Sequence, residues 1–375
     1  TLSDHARSQG SRGAAAGEWA GVLHARVGLL GGLNDGGRPV PLTDVLNSCD
    51  AVAASPDVPA RRRVVVAQGE ILGLGVSRTA GDIDDLRSRV EEEIFDTVRS
   101  INSLATQIAA ADAEILGANT IDADPNTLTD QRDAMINELA SLSAVTIVEQ
   151  DDGQVTIALD GQLLVSNGRS NELTVVYDAD PTLPPLGYAQ LKGDNDPGRE
   201  LHVTGGTLSA QLAATQTLIP DGRRELDAVA LDLATQVNAI HRVGEGIDGS
   251  TGNDLFEVGP NSGELRISAD VAGQPDRVAT RAAGAGVLDN GNIRELAQLA
   301  DDPAGPLNGF VAAVGALAAQ VSAADGQANA TGVAKSQADT MALAAGGVSL
   351  DEELTDLITA QRSYEASARI MTAID

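Results

Sequence analysis

Between residues 82 and 116 apolar side chains fall at Ile83, Leu86, Val90, Ile94, Val98, Ile101, Leu104, Ile108, Ala111 and Ile115. The steps of 3 and 4 form a near-heptad stripe, the pattern of a long amphipathic helix rather than a strand. At 1.5 Å per residue such a helix is about 50 Å long. Charges such as Asp85, Arg89, Glu92, Asp96 and Arg99 take the other faces. A helix that long and thin must lay its stripe on other helices, so a rod-like bundle is predicted. Composition agrees. Apolar residues make up 42% of the 375 residues but aromatics only 2%. Ala, Leu, Val and Ile suit narrow helix–helix seams, whereas a deep pocket or compact globular core uses more aromatic area.

Around this helix the chain alternates in period. A helix is expected after Pro125, with Asp124 as an acidic cap and Leu128, Met135, Leu139 and Leu142 on one face. Weaker helical patterns cover 14–30, 42–54 and 59–71. From Val145 the period becomes two. Runs at 145–148, 155–159, 163–165 and 173–177 read as strands, with Asp151-Asp-Gly, Asp160-Gly and Asn167-Gly as hairpin turns. Residues 178–185 are a Pro-rich break, and strands resume near Tyr188 and Leu201. Helical spacing returns over 207–243, where Pro220 should kink or split the element. Residues 244–291 are rich in Gly, Asp and Asn, with short apolar runs at 255–258 and 265–267.

The predicted architecture is mainly α with β-rich insertions: an elongated antiparallel helical bundle or coiled-coil shaft carrying a β-rich inserted domain. The segments are shaft over 1–143, a β-rich insertion over 144–206, a long shaft helix over 207–243, a second β excursion over 244–291, and shaft again over 292–375.

Charge and motifs exclude several functions. The net charge of −29 argues against a nucleic-acid partner and an anionic membrane surface. We find no unbroken apolar run of about 18 residues, so no membrane span is expected. No basic segment followed by an apolar run opens the chain at Thr1, so no Sec signal is read. Cys49 is the single cysteine. It forbids an internal disulfide and reads as a small buried hydrophobe. Gly244-Glu-Gly-Ile-Asp-Gly249 matches GxGxxG but follows a helix instead of a strand, so it reads as helix termination and turns. Asp122-Ala-Asp-Pro-Asn126 opens like a calcium loop, yet Thr127 stands where glycine is required and Asp133 where glutamate is. His5, His24, His202 and His241 have no metal-ligand spacing. His241, at a helix end, is expected to act as a cationic cap on the helix dipole. No catalytic constellation, cofactor site or metal site is assigned.

The C-terminal run from Leu354 to Ile370, Leu-x-x-Leu-Ile-x-x-Gln-Arg-x-Tyr-x-Ala-x-Ala-x-Ile, resembles the C-terminal segment of bacterial flagellar axial proteins. The entry Val348-Ser-Leu-Asp-Glu-Glu-Leu resembles hook-associated proteins of the FlgK family. So do Ile101-Asn-Ser-Leu-Ala, Leu128-Thr-Asp-Gln-Arg-Asp, Leu201-His-Val-Thr-Gly-Gly-Thr-Leu, Leu218-Ile-Pro and Val237-Asn-Ala-Ile-His. The resemblance implies a structural subunit, not an enzyme, in an adaptor ring between hook and filament. Other flagellar axial proteins of hook or rod type, or a secreted helical-stalk adhesin, are the alternatives. It also implies that the N-terminal polymerisation segment of such proteins is missing here. Implied partners are the hook protein, the next hook-associated junction protein, copies of itself and an export chaperone. The implied location is the extracellular flagellum, reached through the flagellar type III apparatus. The polymerising stripe would be Leu350, Leu354, Leu357, Ile358, Tyr364, Ala368 and Met371, with Gln361 in the seam to set register.

Overall fold

The computed structural model describes residues 2–30, 40–121, 125–177, 187–192, 200–259, 264–346, 358–359 and 361–364. Its axis is α3, Pro59–Thr120, a continuous helix of 62 residues and about 90 Å. The sequence reading split this helix into 59–71 and 82–116, and the structure joins them. Buried Leu72, Val76, Thr79 and Ala80 carry the stripe in phase across the gap, and Pro59 opens the helix where its missing N–H costs nothing. Gly69 and Gly73, which weaken the helix signal, lie where strand β9 (Leu265–Ile267) crosses α3. Packing overrides their poor propensity.

Helix α1 (Leu2–Leu29) also starts earlier than its pattern suggests. It runs antiparallel to α8 (Pro306–Gly346): Gly10 meets Lys335, Gly13 meets Thr331, and His24 reaches Asp325. Helix α8 buries one residue in seven: Phe310, Leu317, Ala324, Thr331 and Ala338. Half-buried Val314, Val321 and Ala328 lie between them. This is a heptad seam. By length and composition alone α8 could cross a membrane, which corrects the expectation that no such segment exists. Its seam packs along α1 and α6. Helices α2 (Val40–Ala53) and α4 (Asn126–Leu142) lie against α3. Asp124, the expected cap of α4, is outside the described residues.

Strands β1 (Thr146–Glu149), β2 (Val155–Leu159), β3 (Gln162–Ser166) and β4 (Arg169–Ser170) form an antiparallel meander in sequence order. Its two tight turns have positive φ at both central positions: Asp160 (48°) and Gly161 (75°), then Asn167 (52°) and Gly168 (66°). That geometry matches strand twist and explains the Asp-Gly and Asn-Gly pairs. Strands β5 (Glu172–Tyr177) and β6 (Gly187–Lys192) make a second hairpin, and Leu201 adds one bridge to Ala189. Residues 178–186, the Pro-rich break, are outside the described residues.

The helical path resumes as α5 (Gly206–Ala213), a π-helical turn at Ala214–Leu218, and α6 (Ile219–His241). The π turn ends just before Pro220. A proline has no N–H to return to the preceding turn, and one extra residue there carries the chain past it. After α6 come two-stranded pairs: β7 (Gly244–Glu245) with β10 (Arg281–Ala282), and β8 (Phe256–Val258) with β9. Helix α7 (Gly291–Gln298) then packs on α2. The core follows the shaft as a seam, with Ile94, Ile101, Ala105 and Ile108 of α3 fully buried.

Candidate assembly surface and the clamps that shape it

Of the expected polymerising stripe, Ile358, Gln361 and Tyr364 fall in described helical residues, and all three are exposed, Tyr364 by 78%. Leu350, Leu354, Leu357, Ala368 and Met371 lie outside the described residues. Helix α8 has exposed apolar residues of its own: Val311, Val333, Met341 and Leu343 point away from the seam, Leu343 by 75%. The sequence reading did not single out α8. Its signal was present in the alternating 4- and 3-residue steps from Phe310 to Ala328, masked by alanine on every face.

The structure gives work to polar residues whose partners the sequence reading did not identify. Each ties a β excursion to a shaft helix. On α3, Asn102 donates through Nδ2 to the Leu173 carbonyl and accepts the Leu173 N–H at Oδ1, both at 2.8 Å. One amide thus replaces a strand neighbour at the start of β5. On α4, Arg132 donates through Nη1 to Asp112 Oδ1 (3.2 Å) and to the Gly153 carbonyl (2.6 Å). Asp112, on α3, accepts the Val155 N–H at 3.3 Å. Both side chains are buried. Burial pushes the Asp112 carboxyl above its ordinary range, against the opposing pull of the Val155 N–H and Arg132.

Two further clamps sit at the end of α6. Asn238 donates to the Phe256 carbonyl at 2.7 Å and accepts the N–H groups of Leu255 (2.9 Å) and Phe256 (3.0 Å). His241 is buried. Its Nδ1 donates to the Asn253 carbonyl at 2.7 Å, and its Nε2 accepts the Ala279 N–H at 2.9 Å. An imidazole that accepts at one nitrogen is neutral, and burial lowers its pKa further. The expected cationic cap is therefore corrected: His241 works as an uncharged bridge between two loops. At the other end of α3, buried Arg62 donates to the Pro56 carbonyl (2.6 Å) and to Asp276 Oδ1 (2.7 Å).

The remaining motifs behave as ordinary structure. The GxGxxG stretch leaves α6 and closes on itself, with Gly246 N–H on the Ser250 carbonyl at 2.8 Å and Glu245 paired to Arg281. Cys49 is buried in α2, and burial pushes its thiol up to about 12. Residues 122–124 of the calcium-like stretch are outside the described residues, and no group of metal-ligating side chains occurs among those described. Helices α1, α3 and α5 are linked by a pair of side-chain hydrogen bonds through Gln211. Thr97 donates to Gln211 at 3.0 Å, and Gln211 donates to Glu18 at 3.3 Å. Burial raises the Glu18 carboxyl, and nearby Glu93 raises it further.

This arrangement of shaft and excursions has known relatives. Residues 28–256 match the family described as the helical domain of flagellar hook-associated protein FlgK, and residues 341–375 match the C-terminal family of flagellar basal body rod FlgEFG proteins. The chain is 24% identical over 401 aligned residues to flagellar hook-associated protein 1 of Bacillus subtilis, covering 95% of this chain and 78% of that one. It is 27% identical to the Escherichia coli protein of the same name, over 64% of this chain and 46% of that one. The solved flagellar hook junction protein FlgK of Burkholderia pseudomallei superposes with a TM-score of 0.60 at 26% identity, covering 68% of this chain and 47% of that one. The chain thus spans less than half the length of the latter two. With more than half of its residues matched by the helical-domain family and the same long-helix architecture, this chain belongs to the FlgK family of flagellar hook-associated proteins.

Proposed function

We propose that this protein is a structural adaptor of the bacterial flagellum, placed as a ring at the hook–filament junction and required for filament assembly. The observation that carries the reading is the family match laid over a continuous 62-residue helix, with α1 packed on it and α8 antiparallel to α1. A subunit that joins two tubes must transmit torque along its length. A buried isoleucine seam with β excursions clamped to it resists bending. The stripe Leu350, Leu354, Leu357, Ile358, Gln361, Tyr364, Ala368 and Met371 then serves packing between subunits. The partners are the hook protein, the next junction protein and further copies of this chain, with an export chaperone before secretion through the flagellar type III apparatus. The role is mechanical and needs no catalytic group.

Deleting the gene tests the reading. The expected phenotype is hooks without filaments, with unpolymerised flagellin in the medium. Normal filaments would exclude the junction role. The match of residues 341–375 to rod-type proteins supports a second reading, a hook or rod subunit. Loss of the hooks themselves in the deletion strain would favour it. In complementation, Leu354→Asp with Leu357→Asp should be exported yet fail to restore filaments.

A further inference from the structure

A cleft of about 580 Å³ opens between the first half of α1, the end of α4 and the start of β1. None of the clamp residues Asn102, Arg132, Asn238, His241 and Arg62 lines it. Strand β1 is an edge strand. It pairs with β2 on one side and with no other strand among the described residues, and Thr146, Val148 and Glu149 are exposed. The cleft passes residues 145–147, so its wall includes the first half of this open edge. An unpaired strand edge offers a row of backbone donors and acceptors to a second chain.

The opposite wall, from α1, carries Asp4, Arg7, Ser8, Ser11 and Arg12, two cations against one carboxylate. Arg12 lines it, is exposed, and makes no ion pair or side-chain hydrogen bond among the described residues. Arg7 is already engaged by Asn137 and Asp4, so Arg12 is the cation left over. In a chain of net charge −29, Arg12 and the start of β1 thus line the same cleft. Ser11 packs at the floor of this wall. It is buried, its Oγ has no hydrogen-bond partner, and it borders the cleft beside Gly205, where a Cβ would stand 2.7 Å from it.

We infer that this cleft docks an extended acidic segment of another protein, added as a strand along the free edge of β1 with a carboxylate paired to Arg12. The edge supplies main-chain hydrogen bonds and fixes direction. Alternate side chains of the segment then face the α1 wall, where a guanidinium gives a charge-assisted bond. The inference rests on the cleft alone and stands whether or not the junction reading holds.

The test uses the full 375-residue chain and a fluorescein-labelled peptide of alternating glutamate and valine, read by anisotropy. Saturable binding is expected, weakened about tenfold or more by Arg12→Glu. A peptide with proline at its centre should lose binding to the same degree, because it cannot complete the strand ladder. The matching lysine–valine peptide should not bind. Circular dichroism of Arg12→Glu should match the parent, since Arg12 is exposed. Absence of saturable binding overturns the proposal, as does equal binding of the proline peptide, which would mean charge attraction only. Displacement by inorganic phosphate at constant ionic strength overturns it in favour of a small-anion pocket. If the unliganded chain self-associates in sedimentation and Arg12→Glu abolishes this, the occupant is a second copy and the separate partner is refuted.

Discussion

The Cα of Gly73 faces the carbonyl oxygen of Leu265 so closely that a methyl group there would stand 2.5 Å from it. The contact joins the shaft to the β8–β9 hairpin through backbone alone. Gly73→Ala adds helix propensity but must push a strand away, so a net loss of about 1–3 kcal/mol is expected. Gly81 lies on the same helix, exposed, with nothing within 4 Å of the corresponding position. Gly81→Ala should therefore stabilise by about 0.5–1 kcal/mol. Denaturant melts of both variants check the opposite signs.

Removing Arg132 leaves Asp112 buried without its cation. Arg132→Met should cost about 3 kcal/mol, the low end for a broken buried pair, because Asp112 escapes by binding a proton. Its folded pKa is already raised. A raised carboxyl contributes stability that is present below its unfolded value and lost as pH rises through its folded one. The deficit of Arg132→Met should accordingly narrow as pH falls. Hydrogen exchange should locate the loss at β1 and β2; uniform loosening of all helices would contradict a local clamp.

His241 titrates in the opposite sense. Its folded pKa lies below the ordinary 6.5, with burial the main cause and Asp254 opposing it. Its contribution is complete above about 6.5 and declines as pH falls below that, by at most about 1.4 kcal/mol per pH unit. His241→Gln, which can donate but does not titrate in this range, should flatten the dependence of the melting midpoint between pH 7.5 and 5.5. An unchanged slope would assign the effect to other groups.

Asn102 replaces a strand partner for Leu173 with a single amide. Asn102→Ala strands one donor and one acceptor and should cost about 1–3 kcal/mol. Asn102→Asp keeps the acceptor, loses the donor and should fall between. Chemical-shift changes confined to β5 and β6 would confirm the site of damage.

Cys49 provides a probe of how α2 is held. Buried and with its thiol pushed up to about 12, it should resist a thiol reagent at neutral pH until α2 opens. Labelling at the rate of a free thiol would show that α2 is loosely held.

Much of this molecule was written in local pattern. The stripe from Ile83 to Ile115 announced the shaft, because a helix presents every third or fourth residue to one side whatever it meets there. Asp160-Gly161 and Asn167-Gly168 announced their hairpins, because few residues tolerate positive φ. The C-terminal motif announced a flagellar axial protein, and the internal motifs narrowed it to the family. Tertiary structure alone decided three things. It carried α3 through Gly69 and Gly73, since a glycine weakens an isolated helix but admits a strand edge in a packed one. It gave Asn102, Arg132, Asn238 and His241 their roles, since a polar residue's partners lie tens of residues away and leave no periodic trace. It fixed the charge of His241, because protonation depends on the burial and the two backbone groups that folding brings to the ring.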